Sequence, residues 1–408
     1  MKIIIIGGGA SGMAAALYAA KSGHEVTILE AGERIGKKLL STGNGRCNFT
    51  NPDQSLLHYH GLQDEEYSRT FVRNVFSFFS QKELLTFLQE IGIESKERNG
   101  CIYPLSEQAS AVLDCFRFAL KDAKVSIITS CPVTEIAKEG EQLRVVSSKN
   151  QYLADRVILS AGSKAGIGAN MADGYSLVKK LGHTLIGPVP GLVALKSDEK
   201  MFKPLAGIRV NGQISLLDAK GLVLAEDRGE IQLTGLGPSG IPAMQVSYIA
   251  SKHLAKGETI EASLDFLPDV NHDECLHMLI TRGKQNAYRS AQDFLIGLLH
   301  KNLGVQLMKM AAIPLQKDVC KFSQKDYETL GGIIKGMRVP VLGTMGFAKA
   351  QICAGGVALD EVKDTLESKC LDHLYLTGEI LDVHGDCGGY NLQWAFTSGM
   401  LAGVNCTK

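Results

Sequence analysis

The sequence predicts an α/β fold in which a parallel sheet flanked by helices is interrupted by a β-barrel-like domain. Three observations predict it. A strand, a glycine turn, a helix and a second strand open the chain; strand-like segments separated by Gly and Asp turns follow from about residue 191; and another strand–turn–helix unit ends the chain. Because the two terminal units are of one kind, we expect the second to complete the domain that the first begins.

The first thirty residues have the pattern of a dinucleotide-binding unit. A run of four isoleucines, residues 3–6, predicts a buried parallel strand. It is followed by G-x-G-x-x-G at Gly7, Gly9 and Gly12, an Ala-rich helix, and a strand that ends at Glu30. The three glycines allow a tight turn, close approach of a pyrophosphate and close helix–strand packing, and Glu30 can accept hydrogen bonds from a ribose diol. A glycine-rich turn without a ligand is the alternative, and it leaves Glu30 unexplained.

A basic, glycine-rich loop follows this unit, over residues 34–48. It has the pattern of neither a strand nor an amphipathic helix, and loops of this kind carry function more often than packing. Its cations would complement the charge of a pyrophosphate, which makes Arg34 and Lys38 candidates for further contacts. Arg46 and Asn48 either face the ligand or brace the loop. A solvated polar loop is the alternative interpretation.

Length and charge limit the classes of function. At 408 residues the chain is long enough for two or three domains. Its 43 basic and 43 acidic residues cancel, which gives no support to a nucleic-acid or anionic-membrane partner. The opening apolar run is too short for a signal peptide, and no stretch approaches the ~20 apolar residues of a membrane span. We therefore expect a cytoplasmic protein with a small-molecule substrate; no oligomeric state is predicted.

The ten cysteines are scattered along the chain. No two of them have C-x-x-C spacing, so zinc, iron–sulfur and redox-dithiol sites are not expected, and no metal is predicted. We expect most of them to be small, buried, apolar residues, as free cysteines usually are.

Changes in sequence pattern divide the chain into five segments. Strand patterns indicate the barrel-like domain, and leucines at helical spacing between residues 270 and 309 indicate a small helical insertion within it. Strand pattern returns at Met337, and a helix over Leu392–Ala402 follows a glycine-rich turn. The predicted segments are the first part of the nucleotide-binding domain, 1–190; the first part of the barrel-like domain, 191–265; the helical insertion, 266–312; the return of the barrel-like domain, 313–343; and the C-terminal part of the nucleotide-binding domain, 344–408.

Two features favour FAD over NAD as the resident nucleotide. An acid followed by a basic, glycine-containing loop is common in FAD domains, and so is a glycine-rich segment near the C-terminus that meets the isoalloxazine, here residues 385–391. No second G-x-G-x-x-G unit follows a strand in the middle of the chain. NAD(P)H, as a transient electron donor, would then visit the flavin without a Rossmann domain of its own.

Three motifs resemble those of the BaiN/YhiN-type flavoproteins, which are NAD(P)/FAD-dependent oxidoreductases. They are the glycine turn at residues 7–12, the loop over residues 36–48 and the C-terminal stretch over residues 378–395. The resemblance covers the full length of the chain. It implies a Rossmann-like FAD-binding domain interrupted by a β-barrel-like domain that carries a small helical insertion. The stretch over residues 161–174 is looser than the family's Gly/Ser/Thr-rich version.

The motifs and the resemblance together give the candidate cofactor contacts. The glycine turn would hold the pyrophosphate, Asp382 would reach the ribityl or phosphate end, and backbone N–H groups of residues 388–392 would lie near the N1–C2=O edge of the flavin. A helix N-terminus there would stabilise negative charge on reduced flavin; a plain helix cap is the alternative. The full candidate set is Gly7, Gly9, Ala10, Ser11, Gly12, Glu30, Ala31, Arg34, Lys38, Gly43, Arg46, Asn48, Ala161, Gly162, Gly378, Glu379, Asp382, Gly388, Gly389, Tyr390, Asn391 and Leu392.

The proton donor is less constrained by the sequence. Reduction of a polarised C=C bond needs a hydride at one carbon and a proton at its neighbour. Tyr390, His384 and Cys387 lie in the loop that would meet the flavin and are the catalytic candidates. Each of them taken alone is more often structural, and the same holds for Cys47.

Three functions stay open at this point. The resemblance implies a flavin-dependent reductase of conjugated enones, with a 3-oxo-4-ene or 3-oxo-4,6-diene steroid as substrate, a bile-acid intermediate or its CoA thioester, and electrons from NAD(P)H. The second function is a FAD-dependent oxidase of a small amine or aminoketone that releases H2O2. The third is a non-catalytic flavin redox sensor or RNA-associated protein.

Overall fold

The computed structural model describes residues 1–166 and 174–408, which form two compact units. The terminal unit comprises Met1–Pro188 and Ile352–Lys408, and the central unit comprises Val189–Gln351. The predicted fold class is confirmed, since the terminal unit is built on a parallel sheet with helices and the central unit on an antiparallel sheet. The five-segment division stays a prediction.

The strands are numbered here in chain order over both units. They are β1 (Lys2–Ile6), β2 (Glu25–Leu29), β3 (Tyr59–His60), β4 (Ser95–Arg98), β5 (Cys101–Pro104), β6 (Ser126–Ile128), β7 (Val133–Glu139), β8 (Gln142–Ser147), β9 (Gln151–Ala154), β10 (Arg156–Leu159), β11 (Val189–Gly191), β12 (Leu195–Lys196), β13 (Ile208–Leu217), β14 (Val223–Thr234), β15 (Gly237–Ser239), β16 (Glu261–Asp265), β17 (Met337–Pro340), β18 (Gly343–Thr344), β19 (Ile352–Ala354), β20 (Leu374–Leu376) and β21 (His384–Gly385).

The α-helices are numbered in the same way. They are α1 (Ala10–Lys21), α2 (Glu65–Phe78), α3 (Gln81–Glu90), α4 (Ala109–Asp122), α5 (Gly174–Lys180), α6 (Glu199–Phe202), α7 (Ile241–Gln245), α8 (Ser247–Ala255), α9 (His272–Gln285), α10 (Ala291–Phe294), α11 (Lys301–Met310), α12 (Gln324–Lys335) and α13 (Tyr390–Asn405). In the described part of the chain, no helix is long and apolar enough to cross a membrane.

The main sheet of the terminal unit is wholly parallel, in the order β20–β10–β1–β2–β6. The isoleucine strand β1 lies at its centre, and Ile3–Ile6 are each at most 5% exposed. A strand buried on both faces needs such a continuous apolar run. Because the strands are parallel, the turns that follow β1, β2, β10 and β20 all meet at one edge of the sheet.

Helices from the two ends of the chain pack against each other in this unit. A Cβ at Gly399 of α13 would stand 2.2 Å from the carbonyl oxygen of Ser11 in α1, and a Cβ at Gly403 would stand 2.5 Å from that of Ala15. The glycines therefore let the two backbones approach closely. This contact carries the N-terminus of α13 to the same region as the glycine turn.

The central unit contains a five-stranded antiparallel sheet, in the order β15–β14–β13–β16–β17. Its inward face is apolar, with Ile214, Leu216 and Leu264 fully buried. Helices α9 to α12 lie in the chain between β16 and β17. Helical structure thus continues to Lys335, beyond the residue 312 at which the sequence pattern places the end of the insertion.

Candidate cofactor and active site

The glycine turn after β1 has the geometry of a phosphate cradle. Gly7 has a φ of +103°, and a Cβ there would stand 2.4 Å from the carbonyl oxygen of Ser160. A Cβ at Gly12 would stand 2.0 Å from the carbonyl oxygen of Gly7, so both positions require glycine. At Gly9, by contrast, no described atom beyond its chain neighbours lies within 4 Å of the Cβ position. The backbone of Gly9 therefore borders space that a ligand can enter.

Helix α1 begins at this turn without a side-chain cap. Its N-cap residue is Gly9, and its first turn contains no acid. The first N–H groups of a helix have no acceptor within the helix, and the positive end of the helix dipole lies there. The backbone N–H groups of Ala10, Ser11 and Gly12 therefore form the kind of donor set that binds a pyrophosphate.

The carboxylate of Glu30, at the end of β2, lies against the same turn. Its Oε2 accepts a hydrogen bond from the Gly8 N–H at 2.7 Å, and its Oε1 accepts one from the Gly32 N–H at 2.6 Å. An ionised carboxylate has about four acceptor positions, so two are left for ribose hydroxyls. The structure thus brings Glu30 to the glycine turn, and the contact with ribose stays a prediction.

Two further candidates, Lys38 and Glu379, bind each other. The Lys38 Nζ donates to Glu379 Oε2 at 2.5 Å, and the backbone N–H of Cys353 donates to Glu379 Oε1 at 3.0 Å. The neighbouring Gly378, at φ +72°, lies over Ser11, whose hydroxyl is 2.7 Å from a Cβ built on that glycine. The positive charge of Lys38 is therefore balanced by the carboxylate of Glu379.

Helix α13 provides a second helix N-terminus without a side-chain cap. Its N-cap residue, Gly389, is left-handed at φ +98°, and its first turn contains no acid. A Cβ at Gly389 would stand 2.6 Å from Asn48 Oδ1 and 2.6 Å from the Thr50 carbonyl oxygen. The Asn51 amide donates to the Gly388 carbonyl at 3.0 Å. The basic loop and the C-terminal glycine loop, over 330 residues apart in sequence, therefore form one site.

Asn48 supplies an unsatisfied polar atom in this site. Its Oδ1 is buried and has no hydrogen-bond partner among the described residues. A buried acceptor left without a donor costs about 1–3 kcal/mol, so such an atom indicates a missing partner. Among the candidates of the basic loop, Asn48 thus has the clearest structural support as a ligand contact.

The remaining cofactor candidates differ in exposure. Arg34, Gly43 and Arg46 are exposed, and Arg46 faces Glu107, with its Nε 3.8 Å from Glu107 Oε2. Residues 167–173 of the looser stretch lie outside the described residues. The half-buried candidates are Ala10, Ala31, Ala161, Gly162, Gly388, Asn391 and Leu392.

Asp382 holds a neighbouring segment of the chain in place. It is 0% exposed, and its carboxylate accepts hydrogen bonds from the backbone N–H groups of Leu62, at 3.0 Å to each oxygen, and Gln63, at 2.9 Å. The carboxylate therefore fastens the segment before α2 to the turn after β20. A buried acid held in this way orients the loop around it, and a direct ribityl contact stays a prediction.

The three catalytic candidates follow one another in the chain: His384 begins β21, Cys387 lies in the loop after it, and Tyr390 begins α13. Tyr390 is 3% exposed and His384 is 2% exposed, whereas Cys387 is half-buried. Burial raises the pKa of the Tyr390 phenol, and the charges of Asp53 and Asp386 raise it further. Tyr390 is therefore a protonated phenol at neutral pH and has a proton to donate.

Cys47 does not have the properties of a catalytic thiol. It is 0% exposed, and burial raises its pKa to about 12. A nucleophilic or redox-active cysteine needs an accessible thiolate. Cys47 instead packs in the core, as the sequence predicted for most of the cysteines.

A cluster of two histidines and an aspartate beside this loop was not predicted from the sequence. We call His58, His60 and Asp386 the Asp386 cluster. Asp386 Oδ2 lies 2.9 Å from His58 Nδ1, and Asp386 Oδ1 lies 3.1 Å from His60 Nε2. The ring of His58 stacks on that of Tyr390 at 4.4 Å between centroids, and His60 is paired with His384 between β3 and β21. Burial by itself lowers the pKa of both imidazoles of the cluster. The hydrogen bonds and charges of Asp386 and of a second acid, Asp53 at His58 and Glu65 at His60, together outweigh burial and raise the pKa.

A second histidine cluster has ligand types that can bind a metal. His183 Nδ1 lies 3.1 Å from Glu361 Oε2 and 3.5 Å from Cys370 Sγ. Ser368 Oγ accepts the N–H groups of Cys370 and Leu371, so its own hydrogen is donated to His183 Nε2 at 2.8 Å. His183 Nδ1 then carries the proton, which it donates to Glu361. This arrangement is a satisfied hydrogen-bond network, and the absence of a metal stays a prediction.

Comparison with known proteins assigns the fold and the site to a family. The family model described as "HI0933-like protein Rossmann domain" matches residues 1–405. The chain belongs to the HI0933-like family. It is 42% identical over 407 residues to a 3-dehydro-bile acid delta(4,6)-reductase of Clostridium scindens, with 98% of each chain covered. This confirms the family resemblance that the three motifs indicated.

Two further similarities place the chain more broadly. It is 28% identical over 415 residues to a ribosomal RNA dihydrouridine synthase of Haemophilus influenzae, with 99% of this chain and 98% of the relative covered. Its fold is similar to that of a 3-ketosteroid-Δ4-(5α)-dehydrogenase from Rhodococcus jostii RHA1, with a TM-score of 0.50, 13% identity, and 100% of this chain and 96% of that chain covered. The structural likeness shows a shared fold.

The residues of the site fit FAD, the cofactor that the family resemblance implies. Two helix N-termini without side-chain caps, those of α1 and α13, offer N–H donors at the carboxyl edge of the sheet. The space beside Gly9 and the unsatisfied Oδ1 of Asn48 are further openings for a ligand. The site therefore agrees with the FAD cofactor that the sequence predicts.

Proposed function

We propose that this protein reduces a C=C bond conjugated to a ketone, in a 3-oxo-4-ene or 3-oxo-4,6-diene steroid of the bile-acid type, with NAD(P)H as electron donor. The observation that carries the proposal is the 42% identity, over 98% of each chain, to a 3-dehydro-bile acid delta(4,6)-reductase. The chemistry of the site agrees with it. Bound FAD supplies a hydride for the β-carbon of such a substrate.

The chain's own residues have two tasks in this reaction. The N-terminus of α13, with Gly388 and Gly389 before it, would hold the flavin end of the cofactor, and its N–H groups and dipole would favour negative charge there. Tyr390, the first residue of α13, is our first choice for the proton that the α-carbon needs. Its phenol is protonated at neutral pH, and its raised pKa makes it a weak acid that donates only to a strongly basic carbon. His384 and Cys387 are the alternative donors in the same loop.

A second candidate is suggested by the ribosomal RNA dihydrouridine synthases. Dihydrouridine is uridine whose 5,6 double bond, conjugated to a carbonyl, has been reduced, so the bond chemistry is the same as in the steroid reaction. The identity to such a relative is 28%, lower than the 42% to the reductase. The balance of 43 basic and 43 acidic residues also lacks the positive excess that favours RNA binding. We therefore place this function second.

Product analysis separates these functions. The purified holoprotein is incubated without oxygen with NADH or NADPH and either a 3-oxo-4,6-diene bile acid, its CoA thioester or unmodified ribosomal RNA, and products are identified by mass spectrometry. A gain of two hydrogens on the steroid supports the proposal. A gain of two hydrogens on uridine, with the steroid unchanged, supports the second candidate.

The amine oxidase and the redox sensor are tested in the same series. H2O2 is assayed in air-saturated buffer that contains small amines or aminoketones. H2O2 formation that is faster than steroid reduction would support the oxidase. A flavin that cycles between redox states without converting any of these compounds would support the sensor. Cytoplasmic location and the absence of a nucleic-acid partner stay predictions of the sequence.

A further inference from the structure

A cationic face lies on the hairpin formed by β4 and β5. Lys96 is paired with Tyr103 and Arg98 with Cys101 in the antiparallel register. Directly opposed residues share a face of the sheet, and residues two apart on one strand do so too. Lys96, Arg98, Cys101 and Tyr103 therefore project to the same side of the hairpin.

Three cations of this region converge on one carboxylate, Glu107. Its Oε1 lies 2.7 Å from Lys96 Nζ, and its Oε2 lies 2.5 Å from Arg98 Nη1 and 3.8 Å from Arg46 Nε. The hydrogen bond to Lys96 and the positive charges of both arginines hold the pKa of Glu107 below its usual range. We call Arg46, Lys96, Arg98 and Glu107 the Glu107 cluster; it has an excess of two positive charges.

The Glu107 cluster keeps donors that Glu107 does not use. The side chains of Arg46, Arg98 and Lys96 are 47%, 42% and 34% exposed. A guanidinium has five N–H donors, and Glu107 engages only the Nη1 end of Arg98 and the Nε side of Arg46. Both arginines can therefore take an additional anion, in the paired geometry that guanidinium groups form with phosphate.

The hairpin is fastened to the part of the site that the flavin occupies in our assignment. Ile102 of β5 donates its N–H to the Thr50 carbonyl at 2.9 Å. Cys101 Sγ, on the cationic face, lies 4.0 Å from the Asn51 amide nitrogen, which also donates to the Gly388 carbonyl at 3.0 Å. The cationic face and the glycine loop before α13 thus share Asn51 as a common neighbour.

We propose that the Glu107 cluster binds the phosphate monoester on the ribose of an adenine nucleotide. The proposal rests on the proposed function, whose reactants include two such groups, the 2′-phosphate of NADPH and the 3′-phosphate of a CoA thioester. A phosphate monoester carries about −1.5 to −2 charges at pH 7, which matches the excess of the cluster. The ring of Tyr103, on the same face, offers an aromatic surface beside it.

Pairs of nucleotides that differ only in this phosphate test the proposal. Binding of NADP⁺ and NAD⁺, and of CoA and 3′-dephospho-CoA, to the FAD-loaded protein is measured by isothermal titration calorimetry at fixed salt. The variants are Arg98→Gln, Lys96→Gln and the double variant, which remove the positive charge and keep a polar side chain. Arg117→Gln is the matched control, since Arg117 is an exposed arginine paired with Asp114 on α4.

The expected result is a preference of about tenfold or more for one phosphorylated member over its counterpart. The double variant should lose this preference by weakening the phosphorylated member alone, while Arg117→Gln keeps it. Preference within the NADP⁺ pair assigns the cluster to the electron donor, and preference within the CoA pair assigns it to the substrate. Equal affinities within both pairs for the wild-type protein, or a preference that survives in the double variant, would overturn the proposal.

Flavin reduction and steroid turnover separate this proposal from the proposed function. A protein that shows the phosphate preference but does not reduce the steroid contradicts the function and leaves the cluster's role intact. The opposite result is steroid reduction in which the ratio of NADPH to NADH rates is the same in the wild type and the double variant, without selection for CoA. This result would contradict the role of the cluster and leave the function intact. The flavin absorbance of each variant shows that its cofactor site is unchanged.

Discussion

Gly399 in α13 lies so close to Ser11 in α1 that a Cβ on the glycine would stand 2.2 Å from the serine carbonyl oxygen. This approach joins the last helix of the chain to the first. Because both helices begin in the cofactor site without side-chain caps, their crossing fixes the distance between two groups of N–H donors. Helix packing and cofactor binding are therefore linked at Gly399.

Substitution of Gly399 by alanine should destabilise the protein and weaken FAD binding. The added methyl group would meet backbone at 2.2 Å, and such overpacking costs about 1–3 kcal/mol. Urea unfolding and the flavin content after dialysis measure the two effects. Gly332→Ala in α12 is the control, since no described atom beyond the local helix backbone lies within 4 Å of its Cβ position, and it should stabilise by about 0.5–1 kcal/mol. Equal effects of both substitutions would contradict the account.

Gly9→Val should remove FAD without unfolding the protein. The Cβ position of Gly9 has open space around it, and its φ of −78° suits any residue, so the valine collides only with a bound pyrophosphate. Flavin absorbance near ~450 nm, where oxidised flavins absorb, should be lost, while the circular dichroism of the protein stays that of the flavin-free wild type. Stoichiometric FAD in this variant would contradict the placement of the pyrophosphate.

The contribution of the Asp386 cluster to the free energy of unfolding should decrease both at high pH and at low pH. The raised pKa values of His58 and His60 mean that their contribution is complete below the unfolded value of ~6.5 and is lost as pH rises through the folded values. Burial raises the pKa of Asp386, but the hydrogen bonds and positive charges of both imidazoles together outweigh burial and lower it. The contribution of Asp386 is therefore lost as pH falls through its folded pKa.

Thermal unfolding from pH 4 to 9 measures the alkaline side of this dependence, since the lowered pKa of Asp386 places the acid-side loss below that range. The difference in Tm between the wild type and Asp386→Asn should be largest between about pH 4 and 6.5 and should shrink toward pH 9. Histidine NMR titration of the same two proteins should show lower pKa values for His58 and His60 in the variant. A Tm difference that is constant over the whole range would exclude a titrating cluster.

Tyr390→Phe should slow the step that consumes a proton. Loss of a general acid typically costs about 10²–10⁴ in rate, whereas FAD binding and flavin reduction by NAD(P)H should stay close to wild type, because the phenylalanine keeps the ring that stacks on His58. Stopped-flow kinetics measure the two half-reactions separately. Cys387→Ser serves as the comparison; a larger loss of rate in that variant would move the acid to Cys387.

The features that sequence reasoning predicted are those whose signal is local. The turn over residues 7–12 and the strand that ends at Glu30 are contiguous in the chain, so spacing alone indicates their geometry. The C-terminal loop was located by its glycines and by family resemblance. Asn48 and Gly389 were both predicted as ligand contacts, and the structure brings them together.

Long-range pairings could not be predicted in this way. Nothing in the sequence around His58 and His60 indicates that they contact Asp386, which lies 326 residues or more away. Asp382 binds the backbone N–H groups of Leu62 and Gln63, and this pairing likewise has no signature in sequence. Three-dimensional packing decides such pairings, and the periodicity of the sequence carries no information about them.

Anaerobic stopped-flow reoxidation tests the central claim most directly. Protein reduced with NADPH or NADH is mixed with a 3-oxo-4,6-diene steroid and, separately, with air-saturated buffer, and the flavin absorbance is followed. The account predicts rapid reoxidation by the steroid and slow reoxidation by O₂. Fast reoxidation by O₂ with no reaction toward the steroid would contradict it and assign the flavin to an oxidase.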